Sequence, residues 1–151
     1  MSQIQVEKSI HIDAPVGHIF RYIDTPENFR NFCPNVIEIK DVEQLSRVSK
    51  RFVWTIKLMD VRFLGVCLYL EYKFGHHIVC EIRGGITGTM TWLFKSAADG
   101  TWTTLKAEYK VPRPLLRKRD KEEITRQNES DAQKILDKLK TIIEANEEAV
   151  A

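Results

Sequence analysis

Residues 120–148 read DKEEITRQNESDAQKILDKLKTIIEANEE. The apolar positions are Ile124, Ala132, Ile135, Leu136, Leu139, Ile142 and Ile143. Beyond Ile124 they recur at the three-and-four spacing of one helical face, which predicts a long amphipathic helix. Lys134, Asp137, Lys138, Lys140 and Glu144 fall off that stripe and are expected to face water. Asp120 with Glu123 predicts a capping box, in which one side chain accepts from an orphan N–H and the other reaches back. Pro112 and Pro114 upstream suit a short turn over 114–119 that either leads into the helix or is continuous with it. Leu136 and Leu139 lie mid-stripe and should dominate its contact with the rest of the molecule. The N-terminal half of the stripe is different. Thr125, Asn128 and Asp131 stand where aliphatic residues would continue it. A buried, unpaired amide costs a few kcal/mol, so this half is either exposed or borders a cavity that holds something polar.

The 151 residues suit a single domain spanning 1–151 with a sizeable core. A net charge of +2 gives no argument for nucleic acid or an anionic membrane as a partner. Cys33, Cys67 and Cys80 are odd in number, lie in apolar surroundings and lack metal-ligand spacing. They read as reduced thiols in a cytoplasmic protein, with no disulfide, metal or cofactor expected. The first twelve residues alternate polar and apolar and do not form a signal peptide. No apolar run approaches a membrane span, so the chain is not expected to be an integral membrane protein.

Taken in order, Ile4, Val6, Ile10 and Ile12 alternate with polar residues and predict a strand, with Lys8 the misfit. Asp13-Ala14-Pro15 ends it. Val16, Ile19, Phe20 and Ile23 predict a short amphipathic helix, and Thr25-Pro26 opens a second one carrying Phe29 and Phe32. From there the runs 35–42, 48–59, 61–74, 76–83, 87–95 and 101–111 are rich in Val, Ile, Thr and aromatics. The turns between them, Met59-Asp60, Gly75, Gly84-Gly85 and Asp99-Gly100, are tight enough to join only antiparallel neighbours. The fold class is therefore α+β. A seven-stranded antiparallel sheet wraps around the C-terminal helix, with two short helices between the first and second strands. One helix cannot fill the concave side of so wide a sheet. Aromatic side chains must line what remains, or a cavity stays.

The stretch IHIDAPVGHIFRYI (10–23) with TPENF (25–29), then Gly84-Gly85-Ile86 with Gly88 and Trp92, then Tyr109 with Pro112, resembles the START-like, or SRPBCC, superfamily. Its polyketide cyclase/dehydrase and lipid-transport branch is the nearest match. The resemblance covers nearly the whole chain. It implies a helix-grip fold with a hydrophobic pocket between sheet and long helix. It does not choose among functions, because that fold hosts carriers, cyclases, hydrolases and quinone-binding proteins.

Few residues announce chemistry. His76 and His77 are adjacent on a strand and point to opposite faces, so they cannot share a metal or a proton. Gly84, Gly85 and Gly88 lie between strands, not before a helix, and read as a turn and a bulge. Arg117, Lys118, Arg119 and Lys121 are diluted by acids and read as solvated surface. The strand 61–74 is apolar on both faces. Either a bulge at Gly65 switches faces midway, or one face is an exposed patch for a partner, a second copy of the chain included.

Two function classes remain. A carrier, sensor or chaperone for a lipid, quinone or polyketide-like aromatic needs only an apolar cavity. An aromatase/cyclase or dehydratase needs titratable groups converging in it, for which Glu71, Glu81, Arg83, Glu108 and His77 are the candidates if strand parity turns them inward. The expected site is lined by Phe29, Trp54, Trp92 and Tyr109 with Asn128 at its opening, in a space of about 300–1,000 Å³.

Overall fold

The N-terminal alternation produces a strand, β1 (Gln3–Ile12), whose Ile4, Val6 and Ile12 are buried on one face. The computed structural model describes residues 3–150; Met1, Ser2 and Ala151 lie outside the described residues. Lys8 shares the inward parity, yet its ammonium lies 3.7 Å from the Glu129 carboxylate on the long helix. A charge at an inward position is thereby matched.

Two helical pieces follow. The first, α1 (Val16–Ile23), buries Ile19, Phe20 and Ile23. A 3-10 turn at Pro26–Asn28 runs directly into α2 (Phe29–Phe32). The meander is β2 (Val36–Ser46), β3 (Ser49–Leu58), β4 (Val61–Lys73), β5 (His77–Gly84), β6 (Gly88–Ala97) and β7 (Gly100–Lys110). A single helical turn, α3 (Arg113–Leu116), precedes the long helix α4 (Lys121–Val150).

All strand pairs are antiparallel, in the spatial order β1-β7-β6-β5-β4-β3-β2. β1 and β2 therefore occupy opposite edges. The chain between them must cross the width of the sheet, so α1 and α2 close one part of the concave face and α4 closes the rest. This is the α+β helix-grip architecture expected from the order of elements.

The capping box is half formed. Asp120 Oδ1 accepts from the Glu123 N–H at 2.8 Å, but the Glu123 carboxylate lies 3.7 Å from Arg119 instead of returning to Asp120. Lys140 and Glu144 do not simply face water. Lys140 Nζ donates to the His11 carbonyl at 2.8 Å, and Glu144 Oε2 accepts from the Asp13 N–H at 2.9 Å. Both fasten α4 to the end of β1.

On β4, Phe63, Cys67 and Tyr69 are buried with Gly65 between them, while Leu64, Val66 and Leu70 are exposed. The face switch is not at Gly65. The register against β5 shifts between Tyr69 and Glu71, so Leu70 is the extra residue and Tyr72 turns inward after it. Gly65 has another role. A Cβ there would lie 3.0 Å from Trp54 Nε1, so the absent side chain is what lets the Trp54 indole lie across β4. The exposed stripe of Leu64, Val66 and Leu70 stays on the convex face.

Candidate functional site

Between sheet and α4 lies a cavity of about 110 Å³. Trp54 and Ile56 from β3, Ile82 from β5, Met90 and Trp92 from β6 and Leu105 and Tyr109 from β7 form its sheet side. Asn128, Asp131, Ala132 and Ile135 form its helix side, and Cys33, Asn35 and Val36 close it after α2. Strand parity explains the sheet side, because inward positions two apart on neighbouring strands converge on one concave space. Gly88 sharpens it. A Cβ there would lie 2.1 Å from the Glu108 carbonyl oxygen and 2.6 Å from Tyr109, so only glycine lets β6 pass so close to the tyrosine.

Of the five residues singled out from sequence, Trp54, Trp92, Tyr109 and Asn128 meet at this cavity, and Phe29 does not. Phe29 stands one ring behind the wall. Its ring lies 5.7 Å from Phe32 and 5.8 Å from Phe52; Phe32 lies 6.0 Å from Trp92, and Phe52 lies 6.2 Å from Trp54. The five rings form an arch of edge-to-face contacts that holds both indoles in place. Cys33, which follows α2 in extended backbone, is the residue of this stretch that lines the cavity.

The cavity is smaller than the space expected from sequence. The two indoles and the arch behind them occupy much of the concave side. Both indole N–H groups are buried and find no acceptor among the described residues. An unmade buried hydrogen bond costs about 1–3 kcal/mol, so the rings serve here as apolar walls at the expense of stability.

The polar end is compact. Asn128 Nδ2 donates to the Ile124 carbonyl at 2.8 Å and, in a short contact, to the Tyr109 hydroxyl oxygen. Both amide hydrogens are thus used. The Asn128 carbonyl oxygen remains as an acceptor and the Tyr109 hydroxyl hydrogen as a donor. Burial pushes the Tyr109 phenol well above its ordinary pKa, the Asn128 donation opposes this, and the Asp131 charge adds to it. Burial likewise raises the Cys33 thiol, only partly offset by Lys138. Tyr109 and Cys33 therefore remain neutral near physiological pH, and Asp131 is the lining group that carries charge. Its carboxylate accepts from Gln127 Nε2 at 2.9 Å.

The other titratable candidates stay outside. Ile78, Cys80 and Ile82 take the inward positions of β5, which turns His77, Glu81 and Arg83 outward; Glu71 and Glu108 also lie off the cavity. Arg83 pairs with Glu81 at 2.6 Å, and His77 lies 4.0 Å from Glu71. Among the described residues no group of three His, Cys, Asp or Glu side chains is placed to hold a metal ion. None of the helices there is long and apolar enough to cross a membrane.

This fold, a long helix gripped by an antiparallel sheet, recurs in known proteins. A family model described as polyketide cyclase/dehydrase and lipid transport matches residues 3–144. The chain belongs to that family. Its fold is that of the crystal structure of TTHA0849 from Thermus thermophilus, at a TM-score of 0.79 with 17% identity over 94% of this chain and 98% of that one. The Zhui aromatase/cyclase from Streptomyces sp. R1128 superposes with a TM-score of 0.75 at 9% identity, covering 95% and 94% of the two chains. A START superfamily protein from Mycobacterium smegmatis gives 0.74 at 10% identity, over 93% and 97%. At these identities the likeness is one of fold. Among curated proteins, none matches the chain in sequence. The family is the one described as polyketide cyclase/dehydrase and lipid transport, and the fold is shared with an aromatase/cyclase and a START superfamily protein.

Proposed function

We propose that this member of the family acts as a carrier or sensor that holds its ligand without transforming it. The observation that carries this reading is the make-up of the cavity: apolar on nearly every side, with a neutral Tyr109, Asn128 and the Asp131 carboxylate at its polar end. Such a site orients a ligand's polar atom and presents one carboxylate, Asp131, rather than the converging set of titratable groups that chemistry needs. A cavity of about 110 Å³ takes one six-membered ring or a short branched chain without rearrangement. A single-ring quinone or the terminal ring of a larger aromatic fits, with a carbonyl oxygen on the Tyr109 hydroxyl. The three buried free thiols support a reducing compartment, which we take to be the cytoplasm.

One observation favours a second reading. Tyr109, Asn128 and Asp131 line the same cavity, and a phenol beside an amide and a carboxylate has the chemistry of a proton donor for an aromatase/cyclase. The two readings separate in one experiment. Trp54 and Trp92 line the cavity, so ligand uptake is followed by tryptophan fluorescence across a panel of fatty acids, quinones and aromatic polyketides, with the recovered ligand analysed by mass spectrometry. Saturable binding with the ligand returned unchanged is expected, and Asn128→Ala should weaken it by about tenfold without unfolding the protein. A recovered product of altered mass or ring count would establish the enzyme instead. Absence of binding across the whole panel would remove both readings.

A further inference from the structure

Beside the apolar chamber lies a second space of about 280 Å³, and the two share Asn35 and Asp131 as walls. Its character is different. Lys57 stands on its sheet side and Lys134 on its helix side, with Gln127 and Met59 completing the rim. From this juxtaposition we infer that the ligand is an amphiphile with an acidic head group, and that Lys57 and Lys134 read that group at the opening of the chamber. The inference rests on the binding reading above and gives it a ligand class.

Three features support it. The first is size. The inner chamber accommodates one ring or a short chain, so the remainder of any larger ligand must continue elsewhere. The adjoining groove is the space that shares walls with it.

The second is charge. The groove carries two ammonium groups against one carboxylate, and that carboxylate, on Asp131, already accepts from Gln127. Neither Lys57 nor Lys134 has an ion-pair partner among the described residues. Just beyond, Lys118 lies 3.8 Å from Asp60 and Arg119 lies 3.7 Å from Glu123, while Arg126, like the two groove lysines, forms no ion pair among the described residues. Both cations that line the groove are therefore unmatched.

The third is placement. The Lys57 N–H donates to the Asn35 carbonyl at 2.8 Å, which ties the end of β3 to the segment that walls both spaces. Lys134 lies three residues after Asp131 on α4, one turn further along the same helix. A head group between them would meet one lysine from the sheet and one from the helix. An ammonium group is a flexible point charge, so a carboxylate or a phosphate monoester meets the same recognition chemistry.

The test uses ligands that share an apolar body and differ only at the head: phenylhexanoic acid, its methyl ester, and the phosphate monoester of phenylhexanol. Affinities are measured by titration calorimetry on the full chain at low and high salt. The wild type should bind the acid about tenfold or more tighter than the ester, with the gap narrowing as salt screens the exposed charges. In the double variant Lys57→Gln/Lys134→Gln the ester should bind as before and the gap should close. Asp131→Asn should tighten the acid severalfold, because a like charge is removed from its path. A phosphate monoester binding at least as well as the acid would support the same site and identify phosphate as its better occupant. Equal binding of acid and ester by the wild type, or an acid preference that survives the double variant, overturns the inference and leaves the cavity reading intact. If no member of the series binds at all, the cavity reading falls with it.

Discussion

In the C-terminal half of α4, Leu136 and Leu139 are fully buried and Ile143 nearly so, and polar side chains fasten the same stretch to β1 and α1. His18 Nδ1 lies 2.5 Å from Glu147, and Lys140 and Glu144 reach the backbone at His11 and Asp13. In the N-terminal half, Ile124 is the one apolar residue before Ala132 and is buried; Thr125 bonds back to its own helix, and Asn128 and Asp131 border the cavity. One continuous helix therefore joins an anchor to a chamber wall. The anchor must be over-determined, because the wall cannot stabilise itself without filling the space it encloses. Stability and binding should accordingly separate along α4, and substitutions in the two halves can break that separation.

The largest effect belongs to the anchor. Leu139→Ala removes a fully buried side chain from the helix-to-sheet contact and should cost about 2–5 kcal/mol, measured by urea unfolding. A loss comparable to a surface change, under about 0.5 kcal/mol, would mean that the anchor is not where the helix is held.

Next comes its polar clasp. Partial burial works to raise the Glu144 pKa, but the Asp13 N–H and the Lys140 hydrogen bond and charge outweigh it and hold the carboxyl below its ordinary value. A carboxyl with a lowered folded-state pKa adds stability above its unfolded pKa and loses it as pH falls through the folded one. Glu144→Gln should therefore cost about 1–2 kcal/mol near neutral pH. Its melting temperature should converge with that of the wild type in acid. A difference that stays constant with pH would show that the side chain acts through packing alone.

The sequence carries the architecture because each element has a local signal. Alternation identifies β1, tight turns join antiparallel neighbours, and the aliphatic run from Ala132 to Ile143 chooses the face that α4 buries. Four of the five anticipated residues meet at the cavity because strand parity and helical phase are local as well. The departures all depend on tertiary packing. A bulge moves one residue in the ladder, and nothing in LGVCLYLE distinguishes Gly65 from Leu70 as its site; the indole of Trp54, from the next strand, decides what Gly65 is for. Phe29 is aromatic and near the wall in sequence order, but it packs on Phe32 and Phe52, and the wall position falls to Cys33 where the chain leaves α2 in extended backbone. The cavity volume depends on how the five rings pack together, which composition does not encode. Lys134, by its place off the stripe, is indistinguishable from a solvated residue. Its pairing with Lys57 across a groove exists only once β3 and α4 are brought together.

The smallest expected change in stability is the sharpest test of the comparison. Ala132 is the small, buried helix residue at the boundary between anchor and wall, and it lines the chamber. Ala132→Leu would send an isobutyl group into the space where a ring is expected to sit. In a filled core such an insertion forces neighbouring side chains off their rotamers and costs about 1–3 kcal/mol. In a chamber kept open it gains buried apolar contact and loses little, so unfolding free energy should change by less than about 1 kcal/mol in either direction. Binding should respond oppositely, with loss of uptake for every ligand that wild type accepts, whatever its head group. Leu139→Ala should show the complementary pattern: a large loss of stability, and, at temperatures where the variant is still folded, affinity within a few fold of wild type. If Ala132→Leu proved strongly destabilising, the N-terminal half of α4 would be packed as tightly as the C-terminal half. The contrast between anchor and wall would then dissolve, and the proposed ligand would have no chamber.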